Sequence, residues 1–126
     1  MTTQRAVPVY LNLLRIRFPV GAVTSIAHRI SGVLMFLSLP LLIYLLELSL
    51  QGPAGYEKAL SYLNNCWFQA GLALLLWSFM HHLLSGIRFL LIDIDKGVTL
   101  PVARSSAWLV NLGAPALTLL YLWWIL

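Results

Sequence analysis

Three long stretches of this sequence carry no formally charged side chain, and they limit its fold more than any other feature does. They comprise residues 30–46, 59–87 and 105–126. A helix needs about 20 mostly apolar residues to cross about 30 Å of hydrocarbon, whereas an isolated strand would leave its backbone groups unpaired in lipid. The sequence therefore predicts an all-α membrane protein with three transmembrane helices. The predicted spans are about residues 25–50, 64–92 and 106–126.

The composition excludes the common classes of soluble protein. Hydrophobic residues make up 60% of the 126 residues and charged residues 10%, against about 45–50% and about 25% in soluble domains. Eight basic and four acidic side chains cannot cover the surface of a soluble domain, so a soluble enzyme, a nucleic-acid-binding protein and a disordered tail are set aside. The length suits one domain. We predict a single membrane-anchor domain over residues 1–126, beginning with a cytoplasmic arm over about residues 1–24.

The net charge of +4 is distributed unevenly along the chain. If the chain crosses the membrane three times, seven of the eight basic residues fall on one side, and only Lys58 lies in the first connection. The positive-inside rule then places the N-terminus and the second connection in the cytoplasm (or the matrix of an organelle) and the C-terminus on the outer side, which is the periplasm in a bacterium. The basic residues thus indicate topology rather than nucleic-acid binding. We predict a multi-pass protein of a bacterial cytoplasmic (inner) membrane.

The two predicted connections differ in composition. The first, residues 51–55, contains glycine and proline residues that end a helix, and residues 56–63 are predicted to lie along the outer surface. The second follows Asp93, and Gly97 is a candidate for the residue that caps the second span.

Two histidines lie in the inner half of the second predicted span, where polar side chains are costly and need an explanation. Along a helix, His82 lies about 9 Å from Arg88 and about 16 Å from Asp93, which places it within the hydrocarbon. His81 and His82 point about 100° apart, so they cannot both bind one metal from opposite sides. His82 is either hydrogen-bonded to a neighbouring helix or an axial ligand of haem iron, whereas His81 is interpreted as structural.

The helix face around His82 is rich in small residues, namely Ser78, Ser85 and Gly86. Small residues allow helices to pack closely, and they equally leave room for a flat macrocycle beside the imidazole. The sequence leaves both interpretations open. The lone cysteine, Cys66, has no partner for an internal disulfide and is interpreted as a small apolar residue.

The first predicted span begins with a polar notch. Ser25 and Arg29 share one helix face, one turn apart, and His28 lies on the neighbouring face. In one interpretation, Thr24 or Ser25 caps the helix and Arg29 extends toward the membrane surface. In the other, the notch binds a carbonyl or carboxylate group that reaches in from the lipid, because arginine donates to such oxygens without losing its charge.

Two segments of the sequence resemble signatures of a known family. The segment from Ser25 to Gly32 has serine, two spacers, His-Arg, one spacer and serine, and it is similar to the first signature of the succinate dehydrogenase cytochrome b (C) subunits. The segment from His82 to Asp93 has glycine four residues after the histidine and arginine two residues after the glycine, and it resembles the second signature. The resemblance covers about residues 8–95, and the last span matches only as a third span.

The resemblance implies roles for individual residues. His82 occupies the position of the axial ligand of the haem iron. Ser25 and Arg29 occupy the positions that contact ubiquinone, and His28 and Arg29 lie where the haem propionates are bound. No catalytic residue is expected in this chain.

The same resemblance implies a function and a set of partners. A six-coordinate haem b needs two axial ligands, so a second membrane-anchor (D) subunit would supply the other, and this chain would form half of a heterodimeric haem-binding helical bundle. A flavoprotein subunit and an iron–sulfur subunit would oxidise succinate on the cytoplasmic side. This chain, not an enzyme on its own, would anchor them in the bilayer and help to form the site of ubiquinone reduction. The alternatives are the anchor of a fumarate reductase, a haem-free membrane anchor, and a small transporter or channel, against which the lack of inverted repeats counts.

Overall fold

The computed structural model describes residues 16–125, which form four α-helices and no β-strand. The helices are α1 (Val20–Ser49), α2 (Pro53–Leu63), α3 (Cys66–Asp93) and α4 (Leu100–Ile125). By length and composition, α1, α3 and α4 are able to cross a membrane, which confirms the predicted all-α membrane protein with three spanning helices. Residues 1–15 of the predicted cytoplasmic arm and Leu126, at the end of the third predicted span, lie outside the described residues.

Helix α1 begins earlier than the sequence predicts, because Pro19 starts it. Pro19 has an extended backbone (φ −63°, ψ 151°), and its carbonyl oxygen accepts the N–H groups of Ala22 at 2.9 Å and Val23 at 3.2 Å. Proline has a fixed φ and no N–H, so it suits the start of a helix. Thr24 and Ser25 therefore lie inside the first two turns, and the interpretation in which either one caps the helix is wrong.

A short helix, α2, follows α1. Gly52 has a positive φ of 96°, and Pro53 occupies the first helical position of α2, a combination that turns the chain and starts a new helix. Residues 56–63, which are predicted to lie along the outer surface, fall within α2. This helix packs mainly against α1 and buries only Ala59, so most of its side chains are exposed.

The chain leaves α3 through a Schellman motif that the sequence does not indicate. The N–H of Lys96 donates to the carbonyl oxygen of Leu91 at 2.8 Å, and that of Asp95 donates to Ile92 at 3.0 Å. In this motif the left-handed position belongs to the residue after the C-cap, which is Asp95 with a φ of 59°. Gly97 also has a positive φ, of 75°, but it lies in the loop that follows. The prediction that Gly97 caps the helix is wrong.

Helix α3 lies between α1 and α4 and packs against both. The side chains buried at these contacts are mostly small or polar. On α1 and α3 they include Thr24, Ser31, Ser78 and Ser85, and on α4 they are Ala107, Val110, Ala114 and Thr118. Large apolar residues such as Phe36, Leu90 and Leu109 are exposed instead. In lipid, helices associate through close van der Waals packing and hydrogen bonds, which small residues permit.

A polar cluster joins the three spanning helices in the half of the bundle that contains the start of α1. Asn111 of α4 places its Oδ1 atom 3.1 Å from the Thr24 hydroxyl of α1 and 3.3 Å from Nε2 of His81 on α3. His81 is 2% exposed, so the bundle encloses its imidazole. Polar side chains in hydrocarbon are costly unless they bond to each other. The cluster therefore fixes the relative positions of α1, α3 and α4.

Arg88 makes a second link between α3 and α4. Its side chain is buried, and it donates from Nε to the Ser106 hydroxyl and from Nη2 to the carbonyl oxygen of Ala103, both at 3.0 Å. The guanidinium carbon also lies 5.3 Å from the centre of the Phe89 ring, within the range of a cation–π contact. Arg88 thus holds the first turns of α4 against the last turns of α3.

Replacing Asn111 by leucine should destabilise the helix bundle. The substitution keeps a similar volume, but it leaves the Thr24 hydroxyl and the buried His81 imidazole without their shared partner, at a cost of about 0.5–2 kcal/mol. Thermal unfolding of the detergent-solubilised protein should therefore shift to lower temperature. The control is Gln69→Leu, which makes the same chemical change at an exposed position of α3. Equal melting temperatures for the two variants would contradict the role of the cluster.

Candidate functional site

His82 and His28 form a stacked pair at the contact between α3 and α1. Their ring centres are 4.0 Å apart, and the ring planes differ by 13°. Phe89 meets the His28 ring edge-on, with ring centres 5.3 Å apart, and both histidines are half-buried. The structure thus brings together two of the residues that the sequence singles out.

The hydrogen bonds of His82 determine which of its ring nitrogens carries the proton. Nδ1 of His82 lies 3.1 Å from the carbonyl oxygen of His28 and 3.4 Å from the hydroxyl oxygen of Ser31. A carbonyl oxygen can only accept, so Nδ1 must be the protonated nitrogen. In the neutral imidazole, the lone pair then lies on Nε2, which makes no hydrogen bond to the described residues. His82 therefore presents a free nitrogen donor.

His81 is placed quite differently from its neighbour. Its Nε2 faces Asn111 inside the bundle, and its Nδ1 is buried without a hydrogen-bond partner among residues 16–125. The Trp77 ring lies beside it, with ring centres 5.5 Å apart. Neither nitrogen is open to a group outside the bundle, so the geometry favours a structural role for His81 and leaves His82 as the candidate ligand.

The small residues around His82 serve helix packing. Ser78 and Ser85 have no exposed surface, and their hydroxyls donate to carbonyl oxygens of α3, those of Leu74 and His81. They face the other helices of this chain rather than an open space. Gly86 lies near His28, because a Cβ atom at Gly86 would be 3.7 Å from the His28 Nε2 atom. The sequence leaves open whether the small residues allow close helix packing or make room for a macrocycle. For Ser78 and Ser85, the structure shows close packing.

Ser25 and Arg29 lie on the first turns of α1, on the same face as Gly32. Ser25 is half-buried and Arg29 is exposed. Within residues 16–125, neither side chain takes part in a hydrogen bond with another side chain. The structure places both next to the His28–His82 pair along α1, but it shows no direct contact between them and His82.

The sequence did not identify two residues that form contacts in this region. Asn111 is a single amide in an otherwise apolar stretch of α4, and its position at membrane depth is a signal that could have drawn attention to it. Phe89 lies within the second signature, but nothing in the sequence alone indicates its edge-on contact with His28. Both act between helices, and such contacts depend on how the helices pair.

His82 is the imidazole whose tautomer the hydrogen bonds to the described residues define. Within the described part of the chain, no group of three or more His, Cys, Asp or Glu side chains could hold a metal ion. Iron held through His82 therefore needs further ligands from a macrocycle or from another chain. A histidine whose Nδ1–H is bonded to a carbonyl oxygen, with Nε2 free, is the usual form of a metal-binding imidazole. His82 in this tautomer thus fits the role of a ligand to haem iron.

Comparison with known proteins gives the family of the chain. The sequence matches the family described as "Succinate dehydrogenase/Fumarate reductase transmembrane subunit" over residues 1–121. It is similar to the succinate dehydrogenase cytochrome b556 subunit of Coxiella burnetii, with 36% identity over 104 residues that cover 82% of this chain and 83% of that protein.

Two further relatives carry the same name. The subunit from Rickettsia felis is 29% identical over 85% of this chain and 82% of its own length. The subunit from Paracoccus denitrificans is 28% identical over 91% of this chain and 88% of its own length. Because the family match spans nearly the whole sequence, the chain belongs to the family of succinate dehydrogenase and fumarate reductase transmembrane subunits.

Proposed function

We propose that this chain is the cytochrome b membrane-anchor subunit of a succinate dehydrogenase, which transfers electrons from succinate to ubiquinone. The observation that carries the proposal is the bond from Nδ1 of His82 to a backbone carbonyl, which leaves Nε2 free for iron. The names of the relatives, which are cytochrome b556 subunits, support it. The whole chain acts as one membrane-anchor domain, with α1, α3 and α4 as its spans.

In this proposal, His82 would hold haem b through its Nε2 atom. A second ligand would come from a partner membrane-anchor subunit, as the resemblance to the cytochrome b (C) subunits implies. His28 and Arg29, on α1 beside His82, bind the propionates. When bound, haem b supplies a one-electron redox centre. The chain itself holds an imidazole of defined tautomer inside the membrane, and the His28 ring packs against one face of that imidazole.

Ser25 and Arg29 bind ubiquinone at the start of α1. The Ser25 hydroxyl donates to a carbonyl oxygen of the quinone, and the Arg29 guanidinium stabilises the negative charge that develops on this oxygen as electrons arrive. Conversion to ubiquinol takes two electrons and two protons in total. Arg29 keeps its proton throughout, so the two protons come from other groups or from water at the exposed end of the site.

The flavoprotein and iron–sulfur subunits dock on the side of the membrane that carries the excess of basic residues. With a single cysteine, this chain cannot supply the ligands of an iron–sulfur cluster, so succinate oxidation and the first electron transfers belong to those partners. The positive-inside rule makes this side the cytoplasm of a bacterium and leaves the C-terminus in the periplasm.

A fumarate reductase anchor is the second candidate, because the family description includes both enzymes. The two differ in the direction of electron flow, which depends on the potentials of the quinone and of the partner subunits. A haem-free anchor, in which His82 serves only to pack α3 against α1, is the third.

Replacing His82 by alanine should remove most of the haem while the chain still enters the membrane, because the free Nε2 donor is lost. The measurement is a dithionite-reduced minus oxidised visible spectrum of the complex purified with its partners, normalised to subunit content. His81→Gln is the matched control, since an amide keeps a polar contact with Asn111 and leaves the ligand intact. Unchanged haem content in the His82 variant would exclude it as the ligand.

Replacing Arg29 by glutamine should lower ubiquinone reduction by about 10- to 100-fold, the effect of losing one hydrogen bond to a charged group. Succinate oxidation measured with an artificial dye should stay near the parental rate. Arg104→Gln removes a charge from an exposed position of α4 and should leave both activities unchanged. If both activities of the Arg29 variant fell equally, the residue would serve assembly instead of quinone binding.

The single cysteine offers a direct test of orientation. Cys66 is exposed at the start of α3, the end that the topology places toward the periplasm. A membrane-impermeant maleimide should label it in intact spheroplasts and, in inverted vesicles, only after detergent is added. The reverse pattern would place the N-terminus outside the cytoplasm.

A further inference from the structure

We propose that Ser31 and Gly32 of α1 are positioning residues for His82: together they fix the orientation of its ring and strengthen Nε2 as an electron donor. This inference rests on the proposed function, because it concerns the ligand of the haem. Neither residue touches the bound group in this proposal. Both act through the imidazole.

Ser31 completes a small network around Nδ1 of His82. The side chain has no exposed surface, and its hydroxyl donates to the carbonyl oxygen of His28 at 2.9 Å. A hydroxyl has one proton, so the lone pairs of the Ser31 oxygen remain free to accept from Nδ1, 3.4 Å away. The Nδ1–H of His82 therefore has two acceptors, a carbonyl and a hydroxyl, that are themselves bonded to each other.

Gly32 supplies the space in which the His82 ring lies. A Cβ atom at this position would lie 2.9 Å from Cε1 and 3.3 Å from Nδ1 of His82, closer than side-chain carbons pack. Gly32 is in the middle of α1, where its backbone has no need of glycine and where alanine would be favoured by about 1 kcal/mol. The contact with the imidazole is thus the reason that the structure offers for glycine here.

The two residues have separate effects on the ligand. Hydrogen-bond acceptors on the Nδ1–H of a metal-bound histidine increase the basicity of Nε2, and a more basic ligand favours the oxidised form of the iron. Ser31 therefore contributes to the midpoint potential of the haem. Gly32 determines whether the ring can reach the orientation in which both acceptors are within range.

The test compares two pairs of variants in the whole complex. Gly32→Ala is paired with Gly71→Ala, since a Cβ atom at Gly71 meets nothing within 4 Å. Ser31→Ala is paired with Ser38→Ala, because Ser38 lies on the same helix and donates in the same way to the carbonyl three residues earlier, that of Met35, at 2.7 Å. The readouts are haem per complex, the midpoint potential in a redox titration, and subunit stoichiometry as a measure of assembly.

Gly32→Ala should lose at least half of the haem while the subunits remain in parental proportions. Ser31→Ala should keep its haem but show a higher midpoint potential, because one acceptor is lost. Ser31→Thr, which restores the hydroxyl, should return the potential to the parental value. Both control variants should match the parent in haem content and potential.

Parental haem and potential in both the Ser31→Ala and Gly32→Ala variants would overturn the inference. A lower potential in Ser31→Ala would also overturn it, since the hydroxyl would then act on the carbonyl and not as an acceptor for Nδ1. If Gly32→Ala fails to assemble, the Ser31 series decides alone. If His82→Ala loses haem while Ser31→Ala and Gly32→Ala keep the parental haem content and midpoint potential, only this inference is rejected. Full haem content in His82→Ala would reject the proposed function as well.

Discussion

The bond from Nδ1 of His82 to the carbonyl oxygen of His28 is the contact on which the candidate site depends. It joins α3 to α1, it determines the tautomer of the imidazole, and it leaves the other nitrogen free. In water such a bond would compete with solvent, but at membrane depth an unbonded Nδ1–H would be costly. The same constraint explains the polar cluster of Thr24, His81 and Asn111.

The lack of water also reverses the usual distribution of residues. The contacts among α1, α3 and α4 contain serine, threonine, alanine and glycine, while leucine, phenylalanine and tryptophan cover the outside. Lipid tails are as apolar as leucine, so burying a large apolar side chain between helices gains little there. Close approach and interhelical hydrogen bonds contribute instead. A bundle held in this way can place an imidazole with the accuracy that a metal ligand needs.

The sequence predicted the class of fold well and the contacts between helices poorly. Uncharged stretches define the spans because charge is expensive in hydrocarbon, and this reasoning does not depend on how the helices meet. The start of α1 was missed because Pro19 lies in a segment whose polar residues suggested a later cap. The faces by which α3 contacts its neighbours were harder to predict. Ser78 and Ser85 lie on the same helix face as His82, and helical spacing does not show which face of α3 contacts α1 and which contacts α4. In a soluble protein hydrophobicity would have identified the inner face, but in lipid both sides can be apolar.

His28 contributes to His82 in two ways that differ in how they respond to mutation. Its ring forms the stack, and a substitution by a non-aromatic side chain would remove it. Its carbonyl accepts the proton of Nδ1, and that oxygen belongs to the main chain, so it persists whatever residue occupies position 28. The hydrogen bond that orients the candidate ligand therefore does not depend on which side chain occupies position 28. Divergence in this part of α1 can exchange the aromatic partner without loss of the tautomer, provided that the backbone keeps its helical path.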